Sequence, residues 1–251
     1  VVLGGRTYRR TEVFKHDSWA ATALYEGPAG RVVCKFNRTQ PVFGLPMRWL
    51  GRWLAAREAA MLARCADLPN VPAPAGPVAA GGAVLANAVA HDFIPGHPLA
   101  EGERVGDDFF PKLRRLLAEL HRRGIAYVDL HKRENVIVGD DGEPYLIDFQ
   151  ISVRLPKSGP AGALLRIMQR GDDYHLAKHV ARNRPDQAPA AGVGLPWFIR
   201  LHRSFARPLR ALRRRLLVLA GVRRGRGRAE TEADPEDAVR RALAAQKRPA
   251  A

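Results

Sequence analysis

The sequence is poor in several features that would point to common functions. It has two cysteines, Cys34 and Cys65, in no metal-ligand spacing and no disulfide framework. A zinc-ribbon type of fold and a secreted disulfide scaffold are therefore excluded, and a reduced, cytoplasmic compartment is expected. No apolar run approaches the ~20 residues that a membrane-crossing helix requires, and the first residues lack the basic-then-apolar pattern of a secretory signal. Aromatic residues make up 7% of the chain, and lysines number seven against 34 arginines. Acids are also in deficit, giving a net charge of +16. That surplus favours phosphate-rich partners such as a nucleotide, nucleic acid or an anionic membrane surface.

What is present suits a folded enzyme. With 251 residues, 46% of them apolar, the chain can bury a core as one domain or as two lobes around a cleft. Residues 13–25 and 31–36 read as strands joined by a turn at 26–30, where glycine and proline cluster. A helix is expected over 46–66, with Trp49, Trp53, Leu54, Met61 and Leu62 at helical spacing. After a proline-rich connector at 69–77 and an apolar stretch at 82–90, a second helix is expected over 110–123. Leu113, Leu116, Leu117 and Leu120 share its face and Gly124 stops it. Short strands at 136–138 and 145–147 flank Gly139-Asp140-Asp141-Gly142, a hairpin signal. Residues 161–182 read as helical. Strands first and helices later suggest an α+β architecture.

The chemistry concentrates between residues 120 and 150. Phosphoryl transfer to a hydroxyl needs a carboxylate to orient the hydroxyl and take its proton, and oxygen ligands to hold Mg²⁺ against the phosphates. A helix, a loop and a hairpin can bring Asp129, Asn135 and Asp148 together for these tasks. The stretch resembles the catalytic loop and metal-binding segment of protein-kinase-like enzymes. Leu120-His121, Gly124-Ile125, Tyr127-Val128-Asp129-Leu130, Asn135 and Asp148-Phe149 carry that resemblance. In style the chain is similar to small bacterial lipopolysaccharide (Kdo) kinases and RIO-like kinases, over residues from about 10 to 180.

The resemblance implies a bilobal protein-kinase-like fold with a reduced helical C-lobe. An N-lobe would span 1–93, a C-lobe 94–190, and a basic helical extension 191–251. Asp129 would be the base, and Lys132 would neutralise charge on the moving phosphoryl group. Asn135 and Asp148 would be Mg²⁺ ligands. In Val32-Val33-Cys34-Lys35-Phe36, Lys35 would anchor the phosphates of ATP, with Glu58 as its helical partner. Ser18 and Ala20 would lie in the loop covering the phosphates, and the backbone at Asp92, Phe93 and Ile94 would meet adenine. Three departures stand out. One more residue than the family pattern separates Asp129 from Asn135, so the loop must bulge or Asp129 be displaced. Gln150 replaces the glycine after Asp148-Phe149, and residues 15–21 contain no glycine.

From Arg200 to Arg228 there are eleven arginines and no acid, around a leucine stripe from Leu201 to Leu219. Such a helix packs on the C-lobe or lies on an anionic membrane surface. Sparse aromatics there disfavour nucleic acid. The expectation is an ATP- and Mg²⁺-dependent phosphotransferase acting on a hydroxyl-bearing acceptor, first a sugar of the lipopolysaccharide core. It would work in the cytoplasm or on the inner face of the membrane. The alternatives are a Ser/Thr protein kinase and a pseudokinase that binds without turnover.

Overall fold

A computed structural model describes residues 1–16, 19–41, 45–188 and 194. Ser18 and the basic segment after residue 194 lie outside them. The chain forms two compact units: Val1–Arg64 with Ala73–Phe93, and Cys65–Pro72 with the described residues from Ile94 onward.

The first unit holds two antiparallel sheets. Strands β1 (Val2–Leu3) and β2 (Arg6–Thr7) are followed by β3 (Arg9–His16), β4 (Ala20–Gly27) and β5 (Gly30–Asn37). Helix α1 (Arg48–Arg64) precedes β6 (Val78–Ala80), β7 (Ala83–Val84) and β8 (Ala88–Asp92). One sheet runs β3-β4-β5-β8 and the other β2-β1-β6-β7. The expected single strand over 13–25 is thus two strands. His16 pairs with Ala21 in antiparallel register, so the chain reverses within the stretch read as continuous.

Alternation along β5 sets its two faces. Val32, Cys34 and Phe36 join Leu3, Tyr8, Tyr25, Val78 and Leu85 in the core of this unit. Lys35 points to the opposite face. On α1, Gly51, Ala55, Glu58, Met61 and Leu62 are buried, whereas Trp49 and Trp53 are 65% and 51% exposed. The tryptophans were expected on the inner stripe, and the structure reverses that placement. Small residues take the inner face because the backbone approaches closely there: a Cβ on Gly51 would sit 2.3 Å from the carbonyl oxygen of Arg38.

In the second unit, β9 (Gly96–Pro98), α2 (Phe109–Arg122), β10 (Ile125–Ala126), β11 (Val136–Gly139), β12 (Pro144–Leu146), β13 (Val153–Arg154) and α3 (Gly159–Asn183) follow in order. Helix α2 buries Phe109, Phe110, Leu113, Leu116, Leu117 and Leu120, and Gly124 ends it at φ +74°. The hairpin β11–β12 forms in the expected register, Val136 opposite Leu146, and β9 completes a three-stranded sheet. Residues 65–72, assigned to the first lobe in the sequence reading, pack here: Asn70 donates its side-chain N–H to Pro144 and accepts the N–H of Leu146.

Candidate active site

Two groups of the expected residues assemble, one in each unit. In the first, Lys35 Nζ lies 3.1 Å from Glu58 Oε2, with the two side chains 12% and 2% exposed. Strand alternation aims Lys35 at α1, and Glu58 is the only acid on that helix. Ala20 opens β4 opposite Asn37. Along the expected adenine-facing backbone, Asp92 and Phe93 donate their N–H groups to the carbonyls of Ala73 and Arg31 at 2.9 and 3.0 Å. The Asp92 carbonyl accepts from the His91 ring at 2.8 Å. These two backbone donors are therefore engaged within the protein.

In the second unit, Asp129 is buried and held mostly through one oxygen. Its Oδ2 accepts from Lys132 Nζ at 2.7 Å and from Asn135 Nδ2 at 3.0 Å. The other oxygen, Oδ1, makes no hydrogen bond among the described residues, and His131 Nδ1 stands 3.3 Å from it. The extra loop residue is absorbed by turns. Lys132 N–H donates to Asp129 O, Asn135 N–H donates to Lys132 O, and Arg133–Asn135 form a 3-10 turn. Asp129 and Asn135 meet despite the longer interval.

The backbone around Asp129 is strained and clamped. Among the described residues, Val128 and Asp148 are the two non-glycine positions at positive φ, 72° and 58°. For a β-branched valine this is a genuine outlier, and such strain collects at functional sites. Asp172, from the middle of α3, accepts the N–H of Val128 on Oδ1 at 2.7 Å and that of Tyr127 on Oδ2 at 2.8 Å. His121 Nε2 lies 3.2 Å from the same Oδ2. His179, further along α3, donates from Nε2 to the Leu130 carbonyl at 2.6 Å. Its burial pushes the imidazole pKa down, so the ring is held neutral.

Asp148 follows β12. Ile147 donates its N–H to the Asn135 carbonyl at 3.1 Å, which ties this segment to the loop of Asp129. The Tyr127 hydroxyl donates to the Ile147 carbonyl, and its ring packs edge-on against buried Phe149 at 5.2 Å. Burial, followed by the charges of Asp148, Asp129 and Asp172, drives the Tyr127 pKa well above its usual value. Burial is the larger cause, and the three carboxylates near the phenol add to it. Among the described residues no group of three or more His, Cys, Asp or Glu side chains is placed to hold a metal, while the side-chain oxygens of Asn135 and Asp148 are hard donors of the kind Mg²⁺ takes.

Sequence reasoning missed Asp172 and His179, and it read Tyr127 as part of the motif without giving it a role. Asp172 lies on the same buried side of α3 as Leu165, Leu176, Val180 and Asn183. An acid on an apolar helical stripe was the available signal.

No family model matches the chain, and no curated protein matches it. Among solved structures it is similar to the crystal structure of the Rio2 kinase from Chaetomium thermophilum. The TM-score is 0.52 and the identity 16%, over 72% of this chain and 60% of that one. The chain thus spans about 60% of the length of that structure. At this identity the likeness shows the fold: an α+β, protein-kinase-like arrangement.

Proposed function

We propose that this protein is an ATP-dependent phosphotransferase that moves the γ-phosphate of ATP to a hydroxyl group. The observation that carries the reading is the carboxylate of Asp129. One of its oxygens is fixed by Lys132 and Asn135 while the other is buried without a hydrogen bond. A buried acceptor left open needs an explanation, and a hydroxyl about to lose its proton supplies one.

In this mechanism Asp129 orients the acceptor hydroxyl and takes its proton as the oxygen bonds to the γ-phosphorus. The bond from that phosphorus to the bridging oxygen breaks, and ADP leaves. Lys132 offsets negative charge on the transferring group. Lys35, steadied by Glu58, binds the α- and β-phosphates, and Ala20, at the start of β4, is read as part of their cover. Asn135 and Asp148 would hold Mg²⁺, which would neutralise the phosphate oxygens. Asp172 and His179 keep the Asp129 loop in its strained form. The first unit, 1–64 with 73–93, is read as the N-lobe of a bilobal kinase and the second, with 65–72, as its C-lobe, followed by the basic extension 191–251.

The first acceptor to test is a sugar of the lipopolysaccharide core, on the resemblance to Kdo kinases, with protein serine or threonine second. The experiment is calorimetric binding of Mg·ATP, then transfer of labelled phosphate to sugar, lipid-linked sugar and protein acceptors. Asp148→Asn should bind Mg·ATP more weakly and abolish transfer while the fold survives. Full transfer by that variant overturns the assignment. Wild-type binding with no transfer to any acceptor makes the protein a pseudokinase.

A further inference from the structure

The outer face of α1 has no part in phosphoryl transfer, yet its composition is unusual. Trp49 and Trp53 stand one turn apart on it, and Leu45, just before the helix, is 66% exposed. Ala56, Ala59 and Ala63 continue the exposed side, with Arg52 and Arg64 exposed and Arg48 and Arg57 partly so. The sole acid of the helix, Glu58, is turned inward to Lys35. The exposed surface is therefore indole, alanine and guanidinium, with no carboxylate on the helix to balance it. The Arg57 guanidinium lies 5.2 Å from the Trp53 ring centre.

We propose that this face is a docking surface for an anionic lipid bilayer. Indole rings settle at the level of lipid headgroups, apolar body inward and N–H toward water. Arginines flanking exposed indoles pair with the phosphates above them. Charge complementarity selects the occupant: Arg48 and Arg52 beside the exposed indoles meet a surface of anions. Nucleic acid fits less well, because stacking uses successive open aromatic faces and Arg57 lies over Trp53, which leaves Trp49 alone for a base. The surface belongs to one unit and is independent of the proposed reaction.

The test is co-sedimentation of the full chain with phosphatidylcholine vesicles, with and without phosphatidylglycerol. Binding is expected only with the anionic lipid, and it should weaken as salt rises. Trp49→Ser with Trp53→Ser should abolish it. Arg48→Gln and Arg52→Gln should each reduce it about fivefold. Replacing Arg213, Arg214 and Arg215 by glutamine should leave this contribution in place. Hydrogen exchange of the wild-type protein needs no variant, and vesicles should protect Arg48–Arg57. No binding to anionic vesicles, unchanged binding by the tryptophan variant, or vesicle protection that bypasses α1 would each overturn the proposal. So would retention of this face by RNA or an acidic protein in place of lipid.

Discussion

Asp172 Oδ1 accepts the backbone N–H of Val128 at 2.7 Å, from a helix more than forty residues away in sequence. Its second oxygen takes the N–H of Tyr127, so one buried carboxylate fixes two consecutive peptide groups immediately before Asp129. Hydrogen bonds to a charged group contribute about 1.5–3 kcal/mol each. Asp172→Asn keeps one acceptor and turns an amide N–H₂ toward the second donor. The expected loss is about 2–3 kcal/mol in urea denaturation, with transfer activity reduced. An unchanged midpoint would remove Asp172 as the clamp.

A second prediction concerns the strain that this clamp holds. Valine at φ 72° carries about 1–2 kcal/mol of backbone cost. Val128→Gly releases it, so the variant should stay within about 1 kcal/mol of wild type. Val136→Gly, at a fully buried strand position, should lose more than about 2 kcal/mol. Equal losses at the two positions would argue that Val128 is not strained in solution.

The Lys35–Glu58 pair predicts a non-additive series. Lys35→Met leaves Glu58 buried without its cation and should cost about 2–3 kcal/mol, below the range for fully buried pairs because Lys35 is partly exposed. Lys35→Met with Glu58→Leu removes both charges and should recover more than half of that loss. Binding of Mg·ATP should weaken in both variants. A double variant less stable than Lys35→Met would refute the pairing.

His179 gives a pH dependence with a defined sign. Its pKa is lowered in the folded protein, first by burial, so the unfolded chain binds the extra proton at higher pH. The stability it contributes is complete above the unfolded value of about 6.5 and is lost as pH falls toward the depressed folded value. His179→Gln retains a donor for the Leu130 carbonyl and does not titrate. Its stability should be flatter than that of wild type in this window. Parallel stability–pH curves would exclude His179 as the source.

Much of this arrangement was legible in the chain, and the exceptions have physical reasons. Asp129, Asn135 and Asp148 could be linked because the Gly139–Gly142 turn fixes a hairpin between the last two, and hairpin register carries no long-range uncertainty. Lys35 and Glu58 could be paired because strand alternation and a lone helical acid leave few choices. Asp172 was hidden because its partners are backbone groups, which have no sequence signature. Trp49 and Trp53 were grouped with Leu54, Met61 and Leu62 by helical spacing. The first turns of the helix instead lie so close to the backbone at Arg38 that Gly51 faces inward there, and Ala55, Glu58, Met61 and Leu62 fill the rest of the buried face. The turns that absorb the longer Asp129–Asn135 loop were also out of reach, since a count of residues does not say where a bulge goes.

Cys34 and Cys65 are both completely buried, and burial pushes the Cys34 thiol up to about 12. A thiol of that kind is almost never the reactive thiolate near neutral pH. The native protein should therefore be silent to maleimide dyes. A cysteine introduced at exposed Ala56 or Ala63 would then be its one reactive position. A single fluorophore could be placed on the outside of α1 without first deleting any native residue. The same helix carries Glu58 on its inner side, so one label could report on nucleotide and on lipid vesicles in separate titrations.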